Sequence, residues 1–175
     1  MRRLLIGLLS LALAGCWIGE GLYTNSDARV GIEPGLYRVS AHSKPPQLTR
    51  VRLLANGMTE MTDKDGADVY GFAPLERGSE RFVVWFNDKG QERVAKPAQF
   101  YFLGQKRADG SFVLYIPECS GEEAEIARRA AAVVEEESGT SGCRFKSRAS
   151  LEAALRQLHP KDENRLMVLL PLNRR

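Results

Sequence analysis

The chain has 175 residues with 25 Lys and Arg against 22 Asp and Glu, a formal net charge of +3. Two of these cations, Arg2 and Arg3, lie in an N-terminal segment that we predict to be removed, so the remaining chain is nearly neutral. It lacks the excess of Lys and Arg that neutralises phosphates, which excludes nucleic acid as an expected partner.

Residues 1–15 have the form of an export signal. A basic start is followed by an apolar run from Leu4 to Ala12, and then by Leu13-Ala14-Gly15-Cys16. These last four residues resemble the lipobox of bacterial lipoproteins. The resemblance implies that residues 1–15 are a cleaved signal peptide and that Cys16 becomes the lipidated, palmitate-bearing N-terminus. The alternatives are an ordinary secreted protein and a transmembrane anchor, for which the apolar stretch is short.

The position after the lipid cysteine holds Trp17. In bacterial lipoproteins an Asp there retains the protein in the inner membrane, so the resemblance implies an outer-membrane anchor that faces the periplasm. Residues 16–35 are rich in Gly and polar residues and predict a tether of extended chain. Packing of Leu22 and Tyr23 onto the domain is the alternative. A single domain is expected over 36–175.

Two cysteines, Cys119 and Cys143, remain after lipidation of Cys16. In an oxidising compartment an even number of remaining cysteines predicts a disulfide. The alternative for each is a free buried or catalytic thiol.

Strands alternate with turns from Leu36 to Pro117, which favours antiparallel pairing. Asn56-Gly57 predicts a two-residue hairpin turn, and Ala108-Asp109-Gly110 predicts a second hairpin. Asp63 to Gly66 is interpreted as a plain turn, because the later glutamate of a calcium loop is missing. The nearly continuous apolar run Arg81 to Phe86 indicates a central strand covered on both faces.

The C-terminal part switches to helical periodicity. Ser120 and Glu123 predict a capping box for a first helix whose apolar face runs to Val134. Ser147 or Ser150 is expected to cap a second helix, and a last strand follows at 166–170. The fold class is therefore α+β: an antiparallel sheet of about six to eight strands, two C-terminal helices packed on one face, and a final strand.

Chemical motifs are weak in the mature chain. His42 and His159 are far apart and have no ligand neighbours at metal spacing, so we expect no metal and no cofactor. Cys119-Ser120-Gly121 resembles the start of the nucleophile helix in a family of cell-wall cysteine peptidases, which implies a catalytic Cys119 as the alternative. That family follows its cysteine with strands that present a histidine, whereas here we expect another helix and one strand, with His159 at a helix end.

A basic cluster formed by Arg144, Lys146 and Arg148 is a candidate patch for an anionic glycan or lipid headgroup; the alternative is a solvated face. We expect a non-catalytic binding or envelope-accessory module. It is attached to the membrane by its lipid, and its partner is an envelope protein or a cell-wall component. The contact is expected on a sheet face that the helices leave open, with aromatic side chains there: Trp85, Phe86, Tyr101 and Phe102.

Overall fold

The computed structural model describes residues 17–41, 45–87, 98–137 and 140–172. The predicted signal peptide, Cys16 and His42 lie outside these ranges. The elements, in chain order, are β1 (Trp17–Glu20), β2 (Gly35–Ala41), β3 (Gln47–Leu53), β4 (Thr59–Asp63), β5 (Gly66–Pro74), β6 (Arg81–Asn87), β7 (Ala98–Lys106), β8 (Phe112–Tyr115), α1 (Gly121–Arg129), β9 (Val133–Glu137), β10 (Thr140–Phe145), α2 (Arg148–Gln157) and β11 (Arg165–Pro171).

Eight of the strands close into a barrel in the order β7-β6-β5-β4-β3-β2-β11-β8, and β8 returns to β7. Every neighbouring pair in the ring is antiparallel. Mostly antiparallel β structure with two helices and a last strand inserted in the sheet is confirmed. The expectation of a sheet with helices packed on one face is wrong. The sheet curls until β6, at one end of the strand order, pairs with β7, and this pairing closes the barrel.

The interior of the barrel is filled by side chains. Phe112 on β8 contacts Phe72 on β5 with ring centroids 5.6 Å apart, although two strands separate them along the sheet. Such a contact is possible because the sheet is closed, so that side chains from its inner face pack against one another across the barrel. Gly104 makes room for it, since a Cβ there would lie 2.5 Å from the Phe112 ring. The barrel core includes Ile32, Tyr37, Val39, Val51, Met61, Phe72, Phe82, Val84, Phe102, Phe112, Leu114 and Leu169.

The first strand extends the sheet beyond the barrel. β1 pairs antiparallel with the first half of β7 and parallel with β10, which in turn pairs with β9. Trp17 is fully buried, with its indole nitrogen donating to the Glu118 carbonyl at 3.2 Å. Tyr23 is also buried, as the alternative reading of this segment anticipated. From Trp17 onward, the segment expected to be a tether is therefore part of the folded domain.

Both helices belong to a second core on the outer side of the barrel. Strand β6 contributes to both cores, because Val83 and Trp85 point to the helices while Phe82 and Val84 point inward. The prediction that this strand is covered on both faces is confirmed. The helix-side core also contains the apolar residues of the helices: Ala124, Ile126, Ala127, Leu151, Ala154, Leu155 and Leu158.

The exposed aromatic surface expected from the sequence is not present. Trp85, Tyr101 and Phe102 are buried in the two cores, and Phe86 is half-buried. Since each strand here has a filled barrel on one side and helices on the other, both of its faces are apolar. The sequence contains more large aromatic side chains than one core can bury, because the structure has two cores.

The first helix is shorter than predicted. It ends at Arg129, and Val133–Glu137 forms β9, although Val133 and Val134 continue the helical apolar spacing. The predicted capping box is also wrong: Glu123 accepts a hydrogen bond from the Glu118 amide at 2.5 Å, and Ser120 makes no side-chain cap bond. The second helix begins as expected, with the Ser147 hydroxyl accepting from the Ser150 amide.

Turn chemistry explains the predicted hairpins. The β3–β4 hairpin forms at Asn56-Gly57, but only Gly57 has positive φ (83°), and the Asn56 side chain accepts from the Met58 amide. The loop is therefore longer than a two-residue turn. Asp63 accepts from the amide of Gly66 across the tight β4–β5 turn, and Gly110 has positive φ in the β7–β8 hairpin.

Ala131 follows α1 with φ 63°, in the left-handed region, and it is exposed. An L side chain is strained there and glycine is not, so Ala131→Gly should raise the free energy of unfolding by about 0.5–1 kcal/mol. Chemical denaturation measures it. The matched control is Ala130→Gly, where φ is −86°, and it should destabilise the domain. Equal effects of the two substitutions would contradict this account of the helix end.

Candidate contact face and barrel mouth

Cys119 and Cys143 lie at disulfide distance, with Cα atoms 5.4 Å apart. This confirms the predicted pair. Cys143 is in β10 directly beside Trp17 of β1, and Cys119 precedes α1. The disulfide therefore joins β10, which pairs with β1, to the segment that begins α1. A bonded Cys119 also carries no nucleophilic thiol.

Arg144 and Arg148 of the predicted basic cluster form ion pairs within the domain, and the third member, Lys146, is exposed. Arg144 forms an ion pair with Glu20 at 3.5 Å. Arg148 forms ion pairs with Asp27 at 2.7 Å and Glu152 at 2.8 Å. Because both arginines already hold carboxylates of this chain, we do not assign the cluster a ligand.

Arg148 is the centre of a network that docks α2 onto the loop after β1. Its guanidinium lies 4.4 Å from the centroid of the Tyr23 ring, and the Tyr23 hydroxyl donates to Glu152 at 2.8 Å. Burial raises the pKa of Tyr23, and its hydrogen bond to Glu152 adds to this. Burial opposes the ionisation of Glu152, but hydrogen bonds from Arg148 and Tyr23 outweigh it and hold its pKa below the usual range.

This network predicts an acid-dependent loss of stability. A carboxyl whose pKa is lower in the folded state stabilises the fold above its unfolded pKa, about 4.3 for Glu, and loses that contribution as the pH falls through the folded value. Glu152→Gln should therefore flatten the decline in unfolding free energy below about pH 5. Urea titrations at a series of pH values measure it. Glu122→Gln removes the same charge at an exposed position outside the network and should keep the wild-type slope. An unchanged slope in Glu152→Gln would contradict the network's role.

The helices cover one side of the barrel, and leucines lie open on the other. Leu48 is 58% exposed and Leu170 is 40% exposed. Their strands face inward through Val51 and Leu169 of the barrel core, so these leucines point outward. We define the leucine–arginine face by the outward side chains of β2, β3 and the end of β11: Leu36, Arg38, Leu48, Arg50, Leu170 and Leu172.

Strand register interleaves the two residue types. Arg38 lies between Leu48 on β3 and Leu170 on β11, and Leu36 lies opposite Arg50. Leu172 joins the edge of this row through its amide, which donates to the Leu36 carbonyl at 3.0 Å. The result is one continuous surface of four partly exposed leucines and two guanidinium groups.

Neither arginine of the face forms an ion pair with any carboxylate among the described residues, and both are exposed. The neighbouring Arg52 differs, because it pairs with Glu60 on β4 at 3.7 Å. An exposed apolar patch interleaved with unpaired guanidinium groups is typical of an interaction surface.

A cleft of about 460 Å³, the mouth cleft, adjoins this face at one end of the barrel. Leu36 belongs to both, and Pro171 links the cleft to Leu170 and Leu172. The cleft is lined by the segment before β2, the ends of the barrel strands and the β7–β8 turn: Gly31, Ile32, Glu33, Pro34, Gly35, Leu36, Tyr37, Lys106, Gly110, Phe112 and Pro171. Its size suits one large side chain or a small ligand.

Sequence reasoning missed the leucine–arginine face. In β2 and β3 apolar residues occur at both inward and outward positions, Leu36 beside Tyr37 and Leu48 near Val51. This pattern could have indicated an apolar outer surface. A strand with one exposed face is expected to alternate apolar and polar residues, and the outward leucines of β2 and β3 depart from that alternation.

Within the described ranges, no group of three or more His, Cys, Asp or Glu side chains is placed to hold a metal ion. None of the helices described is long and apolar enough to cross a membrane. No protein-family model, curated protein or solved structure matches the chain.

Proposed function

We propose that this chain is an outer-membrane-anchored periplasmic lipoprotein that acts by contact, as a non-catalytic binding or envelope-accessory module. The observation that carries the contact role is the leucine–arginine face, where Leu48 and Leu170 are 58% and 40% exposed in an otherwise well-filled domain. Burying such side chains against a partner gains roughly 25 cal/mol for each Å² of apolar surface.

The anchor is supported by the sequence. Leu13-Ala14-Gly15-Cys16 resembles a lipobox, and Trp17 replaces the inner-membrane retention signal. The Cys119–Cys143 pair fits an oxidising compartment such as the periplasm. Several acyl chains on Cys16 would hold the protein on the membrane stably, whereas a single chain would not.

Mass spectrometry of the N-terminal peptide tests the anchor. We expect Cys16 to carry lipid, and Cys16→Ser should leave the protein uncleaved or free of the membrane. An unmodified Cys16 at the mature N-terminus would contradict the anchor and leave the contact role to be judged separately.

Crosslinking tests the contact role. A photoreactive amino acid at Leu170 of the anchored protein should give a discrete adduct in cells, and the same group at Val133, which is 38% exposed on the far strand β9, should not. Equal adducts at both positions would contradict a dedicated face.

The cysteine peptidase remains the alternative function, supported by the Cys119-Ser120-Gly121 resemblance. A cell-wall hydrolysis assay decides it. We expect no hydrolysis by the wild-type protein, because Cys119 is bonded to Cys143. Hydrolysis that is abolished by Cys119→Ala would overturn the contact proposal.

A further inference from the structure

The leucine–arginine face and the mouth cleft together restrict the kind of partner. We propose that they bind an extended segment of another protein that carries carboxylates between apolar side chains. This inference rests on the proposed contact role and names the chemistry of its partner.

Charge favours an acidic partner. Arg38 and Arg50 are exposed and have no carboxylate partner among the described residues. The mouth cleft contains one cation, Lys106, and one carboxylate, Glu33, so the excess positive charge lies on the face. Guanidinium groups bind carboxylates through two parallel hydrogen bonds, and the apolar surroundings strengthen such pairs by excluding water. A segment that carries an acidic side chain between apolar ones matches the row Leu170, Arg38 and Leu48 across β11, β2 and β3.

The same charges disfavour a second copy of this chain. In a symmetric dimer the same patch meets itself, so two patches that both carry Arg38 and Arg50 would be brought together. Like charges brought together in an interface are costly.

The leucine–arginine face lies across the barrel from the first strand. Cys16 is bonded directly to Trp17, which is buried in β1 beside β7. In the eight-membered ring β3 lies opposite β7, four strands away in either direction. The β2–β3 wall therefore lies across the barrel from β1, while the chain before Trp17 leads along β7 towards its Lys106 end, where the mouth cleft opens. The vesicle experiment below tests the membrane as an occupant of the face.

Shape favours a protein segment with one large apolar side chain. The mouth cleft of about 460 Å³ opens beside Leu36, with Tyr37 and Phe112 in its lining. One side chain seated there would be the buried centre of the interface, and the leucine–arginine face would hold the residues on either side.

Selection from a library of short random peptides displayed on phage tests this proposal, with the detergent-solubilised full protein as target. Peptides that bind the wild type should be enriched in Asp and Glu with interspersed apolar residues. Arg38→Glu/Arg50→Glu should weaken their binding by at least about tenfold. Arg77→Glu/Arg129→Glu makes the same charge change outside the face and should leave binding unchanged.

Selected peptides without acidic enrichment, equal binding to both double variants, or no selected peptides would each overturn the acidic-segment proposal. If the protein self-associates in sedimentation velocity and Leu48→Ser abolishes the association, the face binds a second copy. If the protein binds anionic phosphatidylglycerol vesicles and Arg38→Glu/Arg50→Glu abolishes the binding, the face binds a membrane. Either outcome also overturns the acidic-segment proposal. None of these results would remove the contact role itself, which the Leu170 crosslink tests.

Discussion

Replacing Trp17 by alanine is expected to lower the free energy of unfolding by about 3–5 kcal/mol. The Trp17 side chain is fully buried, its ring centroid lies 4.9 Å from that of Phe145, and its N–H donates to the Glu118 carbonyl. Removing it leaves a large cavity and an unpaired carbonyl at the junction of β1, β10 and the segment before α1. Urea denaturation followed by circular dichroism measures the loss.

The matched control for Trp17→Ala is Ile18→Ala, at the next position on the same strand, where the side chain is only half-buried. It should cost clearly less than Trp17→Ala, because less surface is removed from the core. If Trp17→Ala costs under about 1 kcal/mol, β1 does not belong to the domain and the extended tether expected from the sequence is restored.

Removing the disulfide should have the second-largest effect. Cys119→Ala/Cys143→Ala is expected to lower the unfolding free energy by about 2–4 kcal/mol, since a bond across 24 residues restricts the unfolded chain and joins β10 to α1. Chemical denaturation with and without a reductant measures it. Reductant should destabilise the wild type and leave the double variant unchanged.

The disulfide would be contradicted if the unfolding free energy of the wild type did not change with the reductant and if Cys119 and Cys143 both reacted as free thiols. That result would also restore the thiol that the peptidase alternative requires. The disulfide experiment therefore bears on function as well as on stability.

Features set by local chemistry were predictable from the sequence. Gly57 and Gly110 supply the positive φ that their hairpin turns need, and Ser147 supplies a helix cap. The Cys119–Cys143 pair followed from the two cysteines that remain besides Cys16 and from the predicted export signal. In the turns and the cap the deciding interaction lies within a few residues, and the disulfide joins the two cysteines left after the predicted lipidation of Cys16.

Features set by contacts distant in sequence were not predictable. Closure of the barrel requires β6 to pair with β7 and β11 to insert between β2 and β8, and no local pattern encodes these pairings. Val133 and Val134 continue the helical spacing of α1, but the chain forms β9 there because β10 offers a pairing edge. Tertiary contacts commonly override a local preference in this way.

The leucine–arginine face was missed for a related reason. The sequence prediction of an open sheet assigned the large apolar surface to aromatic residues such as Trp85 and Tyr101, which the second core buries. Once the barrel closes, the uncovered wall is β2, β3 and β11, and its leucines become the surface to explain. The contact role is retained as a proposal, with different residues carrying it.

Thiol protection tests the central claim, that the leucine–arginine face is covered in the cell envelope. Leu48→Cys is compared with Val133→Cys, an exposed control on β9, using a maleimide reagent on intact envelopes and on the purified protein. We predict that Leu48→Cys reacts much more slowly in envelopes than after purification, while Val133→Cys reacts equally in both. Equal reactivity of Leu48→Cys in envelopes and in the purified protein would contradict the account.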